Sequence, residues 1–323
     1  MSLLKLRLGM IGTLAFVIAV STLFFTVVLS LMGTLSFLAL AFFVVVFNIA
    51  QWLVAPYLIS GLYGTRSVSK ADNPKLWAMI ESLSQKIGVK TPKLMLANIP
   101  IPNAFAYGSP IAGNRIAVTS GLLKDLEDEE VEAVVGHELG HLKHRDVQVM
   151  MLVSVLPAIF YYLGYSMMMS SAYSRGNRRQ EGSGLAALIG IGSMILYWVL
   201  TLFVLGLSRM REYYADRTSA TSVEDGSRKL SEALAKIVAS TGRIKTRHVG
   251  AGSSNSFKAL FISDPDRAES DQVAIAASRM FGTDQQLVEE MLSRKITALD
   301  RVLEVFSTHP NIVKRLQALR QLA

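Results

Sequence analysis

Between Leu8 and Thr65 the chain carries no charged side chain, and this run limits its possible folds more than any other feature. A helix needs about 20 apolar residues to cross a bilayer, so the run has room for two spans. We expect the first from roughly Leu8 to Ser30 and the second from about Leu35 to Ile59, joined at Gly33-Thr34. Lys5 and Arg7 precede an apolar stretch too long for a signal peptide, and no small-residue cleavage site follows it, so it reads as an uncleaved span. Two more uncharged windows follow. One lies between Asp146 and Arg175, giving a third span over Val147–Met169, and the other runs from Gly182 to Ser208, giving a fourth. Composition agrees: 51% of residues are hydrophobic and 18% charged, against about 25% charged in ordinary globular chains. Asn48 and Gln51, inside the second span, read as helix–helix contacts.

The expected fold is a mainly α membrane protein of about four transmembrane helices, carrying an α+β domain with a small edge-strand sheet. By residue, 1–60 form two N-terminal transmembrane helices and 61–146 the first part of that domain. Residues 147–208 form two further transmembrane helices, and 209–323 a second, mostly helical part of the domain. Within 71–146, Asn73–Ile87 has helical periodicity closed by Gly88, and 93–97 and 115–119 are short β-prone runs. Between them, Pro100 and Pro102 precede a further strand and confine it to a sheet edge. A helix begins near Glu127-Asp128-Glu129-Glu130, whose acidic first turn suits a helix N-terminus. Nothing in the sequence separates it from the third span, so the two are one continuous helix or a bent one. Beyond Arg209, helices are expected at 209–220, 226–239, 284–292 and 311–322, with a Gly/Ser-rich basic loop over Thr241–Ser256.

The chain has no cysteine, which excludes disulfides and thiolate metal ligands. Its net charge of +8 comes from scattered basic residues without a nucleic-acid module, so no nucleic-acid partner is expected. Lys and Arg near anionic headgroups account for the surplus. The bilayer is the expected partner.

His137-Glu138-Leu139-Gly140-His141 carries the chemistry. Residues four apart on an α-helix differ by only about 40° around the axis, so both imidazoles point at one place. Each can offer a nitrogen to one metal ion. Glu138 lies about 100° from His137, too far round to share the metal easily, yet near enough to reach a water held there. Two histidines, a distant third ligand and a glutamate base form the gluzincin arrangement. A catalytic zinc needs a third protein ligand, and 209–216 (RMREYYAD) supplies Glu212 and Asp216 on one helix face. Spacing alone does not choose between them. With Glu212 as ligand, Asp216 can hold the second ring N–H of a ligating histidine.

HELGH at 137–141, a span pair, and SRMREYYAD at 208–216 together resemble the HtpX family of membrane metalloproteases, whose catalytic core is similar to that of the zinc CaaX prenyl proteases. The resemblance extends to Asn103-Ala104-Phe105-Ala106 and Ser307-Thr308-His309-Pro310, and so covers nearly the whole chain. It implies one Zn2+ per chain held by His137, His141 and Glu212, Glu138 as catalytic base, and Asp216 behind a ligating histidine. It also implies that Asn103 and Ala104 match an edge strand that pairs with extended substrate. The implied activity is endopeptidase cleavage of membrane or misfolded proteins, in membrane protein quality control and stress response.

In that chemistry Glu138 takes a proton as water attacks the scissile carbonyl and returns it to the leaving amine. A second oxyanion donor is wanted, and Arg209, Tyr213, His144, His248 and His309 are all candidates. Arg209 is also counted with Asn103 and Ala104 as substrate-binding. His144 otherwise reads as an interfacial residue, His309 as belonging to a helix start, and His248 as solvated. Pairing through the main chain implies broad selectivity. A site-2 type intramembrane protease is disfavoured, because charges flank the motif and no intramembrane Asp is available. A CaaX prenyl protease needs more spans, and a scaffold with a vestigial site would not retain base, histidines and distant carboxylate together. Lys5, Arg7, Arg66, Lys70, Arg209 and Arg211 place the catalytic domain in the cytoplasm of a multi-pass cell-membrane protein. Arg175, Arg178 and Arg179 depart from that pattern.

Overall fold

The computed structural model describes residues 36–174, 183–247 and 283–323. The expected first span, the arginines at 175–179 and His248 lie outside them. The described chain forms two compact units. One comprises Leu53–Val147 with Ser208–Ala323, the other the residues up to Trp52 with Gln148–Leu207.

In the first unit, α1 (Ser36–Leu62) ends and the chain enters a four-stranded mixed sheet. Its strands are β1 (Arg66–Ser67), β2 (Lys93–Ala97), β3 (Ala104–Ser109) and β4 (Gly113–Thr119), in the order β1-β2-β4-β3. The pair β2–β4 is parallel and β3–β4 is antiparallel. The strand after Pro100 and Pro102 therefore occupies a sheet edge. Helix α2 (Pro74–Ile87) lies between β1 and β2 in sequence, where the periodicity placed it. Asn73 Oδ1 accepts from Leu76 N at its start, and Gly88, at φ +80°, ends it in the left-handed region open to glycine. Its apolar stripe of Leu76, Ile80, Leu83 and Ile87 joins Leu94, Ile116 and Val118 of the sheet in the main core.

Helix α3 (Ser120–Asp125) leads into α4 (Asp128–Lys143), which carries the metal motif. Glu130 accepts from the Glu127 N–H at 2.8 Å and an ion pair to Lys236 at 2.8 Å, so the acidic helix start is bound on two sides. α4 does not continue into the next apolar helix. Arg145 stands at φ +55°, a conformation that costs a non-glycine residue on the order of 1 kcal/mol. The turn breaks the helix and α5 (Asp146–Ser174) starts afresh.

By contrast α6 (Ser183–Ser222) is continuous for 40 residues. No proline falls within it, so the apolar window to Ser208 and the expected helix from Arg209 are one element. α7 (Gly226–Arg247) runs through the first part of the expected loop, with Ser240 and Thr241 buried. After it come α8 (Asp284–Ser293), α9 (Ala298–Val305) and α10 (Ile312–Arg320). Periodicity did not announce α9, a helix of 8 residues started by a Thr297–Asp300 capping box.

Among the described residues, two helices are long and apolar enough to cross a membrane, Asp146–Met169 and Gly184–Ser222. The expected second span falls on α1. In the second unit, Ile159, Leu163 and Ile189 pack together, and a Cβ on Gly164 would lie 2.9 Å from the Met194 side chain. Small residues at such a contact are what membrane helix pairs use to approach.

One close approach in the first unit positions the chemistry. A Cβ on Gly140 would lie 3.0 Å from the Ala215 Cα, and one on Gly136 would lie 3.0 Å from the Val223 side chain and 3.1 Å from Ser219 Oγ. Ser219 Oγ donates to the Ala133 carbonyl at 2.6 Å across the same contact. Helix α4 thus crosses the polar end of α6 almost backbone to backbone. Gly140→Leu should drive the two apart, lowering stability by about 1–3 kcal/mol, with Gly140→Ala intermediate. Thermal unfolding in detergent checks this.

Candidate metal centre

The two motif histidines face one another on α4, with Nε2 atoms 3.1 Å apart. Glu212, carried opposite them by α6, brings Oε2 to 3.6 Å from His137 Nε2 and Oε1 to 3.5 Å from His141 Nε2. One ligand atom from each of the three residues lies within 4.8 Å of the others, so His137, His141 and Glu212 could together hold a metal ion.

The outward ring nitrogens are occupied by carboxylates. His137 Nδ1 lies 2.9 Å from Asp216 Oδ1, and His141 Nδ1 lies 2.5 Å from Asp146 Oδ2. Each contact holds Nδ1 as the protonated nitrogen and leaves Nε2 free to face inward. The turn at Arg145 supplies the second of these, because it folds Asp146 back under His141. Arg211 Nε, at 3.0 Å from Asp146 Oδ1, holds that carboxylate from its other side.

Behind Glu212 and Asp216 lies Arg315 of α10, only 1% exposed. Its Nε donates to Asp216 Oδ2 at 2.9 Å and Nη2 to Oδ1 at 2.5 Å, while Nη1 stands 3.3 Å from Glu212 Oε2. Two carboxylates at this distance hold the guanidinium proton above its already high range against the opposing effect of burial. His309 is also buried and brings Nδ1 to 3.3 Å from Glu212 Oε2.

Glu138, Asp146, Glu212 and Asp216 are all buried here, against the buried cations Arg211 and Arg315. With the histidines neutral, the cluster has a surplus of two negative charges, which one divalent cation cancels. Burying such a surplus uncompensated is costly, so the donor set fits a dication. Without one, His137 responds to the same field. Burial pulls its pKa down, but the Asp216 and Glu212 carboxylates prevail and push it up to about 10.

The structure brings His137, His141, Glu212 and Asp216 together, with His141 partly exposed and the others buried, and Glu138 is buried next to His137 on α4. Sequence reasoning missed Asp146, Arg211 and Arg315. Arg315 had a signal: it falls among Ile312, Val313, Leu316 and Leu319 on the buried face of α10, where a cation needs a buried anion. Of the oxyanion candidates, His309 reaches the centre, whereas His144 Nε2 lies 3.2 Å from Thr218 Oγ1. Arg209 instead donates to the Val305 and Ser307 carbonyls, at 3.0 and 2.7 Å. Asn103 is buried and paired inward, its N–H donating to Thr119 Oγ1 and its carbonyl accepting from Thr119 N. Ala104 opposes Val118 at the start of the edge strand.

Asp216→Asn should weaken metal binding about 10–100-fold by loosening His137. Because metal must displace a proton from His137 at any pH below about 10, affinity should rise with pH, about tenfold per unit for each proton released. Competition titrations with a chelator at two pH values measure both effects.

The model of peptidase family M48 matches residues 70–323. The "Protease HtpX homolog" of Thermoplasma acidophilum is 36% identical over 283 residues, covering 86% of this chain and 83% of its own. The "Protease HtpX homolog 2" of Saccharolobus solfataricus is 38% identical over 290 residues, covering 88% and 86%. The crystal structure of S. mikatae Ste24p superposes with a TM-score of 0.55 over 98% of this chain and 67% of that one, at 17% identity, a likeness of fold.

Proposed function

The chain belongs to peptidase family M48 and is a metalloprotease; on that premise we propose that it is a zinc-dependent membrane endopeptidase acting on membrane or misfolded polypeptides. One observation carries this reading: Glu212 converges on His137 and His141, whose outward ring nitrogens already face carboxylates. His137, His141 and Glu212 hold the metal. Two imidazoles and a carboxylate, with no thiolate in the chain, suit zinc. Bound zinc supplies a Lewis acid that acidifies water and polarises a carbonyl.

The protein's own groups do the rest. Glu138 accepts a proton from the attacking water and donates it to the leaving amine. Asp216 and Asp146 fix the tautomers of His137 and His141, and Arg315 holds Glu212 and Asp216 in place. Residues in an antiparallel pair alternate between facing the partner strand and facing away. With Asn103 bonded to Thr119, the next residue, Ala104, turns its N–H and C=O away from β4. An extended substrate pairs there by its main chain, which gives affinity with little sequence selectivity. The catalytic domain comprises 61–146 and 209–323 and faces the cytoplasm, the remaining segments forming four spans of a multi-pass protein with the bilayer around them.

Glu138→Gln should keep the metal yet cut casein cleavage at least about a hundredfold, whereas Glu212→Ala should lose both metal and activity. Retained cleavage in a metal-loaded Glu138→Gln protein would remove the assigned base. Chelation should abolish activity and zinc, but not magnesium, restore it. Cleavage of one peptide sequence alone would defeat the edge-strand reading.

A further inference from the structure

Helix α9 presents an apolar face that nothing in the metal chemistry uses. Leu299, Val302, Leu303 and Phe306 recur at helical spacing and are 66%, 56%, 49% and 60% exposed. The opposite side is fastened to the protein: Glu304 is buried, accepts from the Asn311 N–H at 3.1 Å and pairs with Lys314. The apolar face is therefore turned outward by construction.

Two observations identify its occupant. The C-terminal end of α9 is held by Arg209, which donates to the carbonyls of Val305 and Ser307. Arg209 is the first charge after the uncharged window Gly182–Ser208, so it marks where α6 leaves hydrocarbon for the headgroups. Exposed cations also border the face, Lys295 before it and Arg301 beside it, a complement to anionic lipid. We infer that α9 lies in the bilayer interface, its Leu299–Val302–Leu303–Phe306 face in contact with the acyl chains and its cations among anionic headgroups. This rests on the membrane reading given above. Its consequence reaches the metal centre, because the turn after α9 carries His309 to Glu212. Lipid contact on α9 and the position of His309 are thus tied through Ser307, which Arg209 also holds.

The chain contains no cysteine, so a single introduced thiol reports cleanly. Val302→Cys, Leu188→Cys (67% exposed, in the apolar part of α6) and Lys86→Cys (exposed on α2) are each labelled with an environment-sensitive fluorophore. The zinc-loaded full chain is then placed in nanodiscs containing phosphatidylglycerol. We expect a blue-shifted emission at Val302, with quenching by acyl-chain spin-labelled lipid comparable to that at Leu188 and absent at Lys86. Quenching at Leu188 but not at Val302 overturns the inference and leaves the membrane reading intact. Quenching at neither removes both. A blue shift at Val302 that appears only when denatured casein is added to the Glu138→Gln protein makes the face a polypeptide dock and overturns the lipid assignment.

Discussion

The contact between Gly140 and the backbone at Ala215 sets the distance at which α4 and α6 cross, and the other features of the metal centre follow from that distance. The nearest contacts among His137, His141 and Glu212 are 3.1 to 3.6 Å, a span that tolerates little outward movement of either helix. Glycine's missing side chain is what lets α4 sit so close. Ser219, donating to the Ala133 carbonyl, fixes the same crossing from the other side.

Around that crossing the charges are layered. Each histidine is backed by a carboxylate and each of those carboxylates by a guanidinium, in the series His137–Asp216–Arg315 and His141–Asp146–Arg211. Low dielectric strengthens such chains and makes a missing member expensive. The two series draw on different parts of the sequence, one on the turn at Arg145 and the other on α10. Arg315 also touches Glu212 and so joins the first series to the third donor.

Much of this was legible in the sequence because it is local. The HELGH spacing, the Glu212/Asp216 spacing, the Asn73 and Gly88 caps and the edge strand after Pro102 are decided within a few residues of one another. What escaped were contacts between distant segments. Asp146 marked only the start of an uncharged window, since nothing local announces that Arg145 takes a left-handed conformation. Arg315 lies far along the chain from the residues it meets, and only the fold buries it against Asp216. Arg209 was expected to face substrate, but it meets the carbonyls at the end of α9, a helix too short to leave a strong periodic trace. The continuity of α6 was obscured by a change of composition at Ser208 that altered the helix's surroundings without breaking its backbone.

The placement of the donors along the chain has a consequence in time. During synthesis His137 and His141 emerge first. Glu212 follows only after the two apolar segments, and His309 and Arg315 come later still. A ribosome-bound copy that has made α4 holds His137, Glu138 and His141 with neither Glu212 nor Arg315 behind them. Peptidase competence is thus acquired late, once α6 and α10 have docked, and an unfinished chain poses little hazard to itself or to its neighbours.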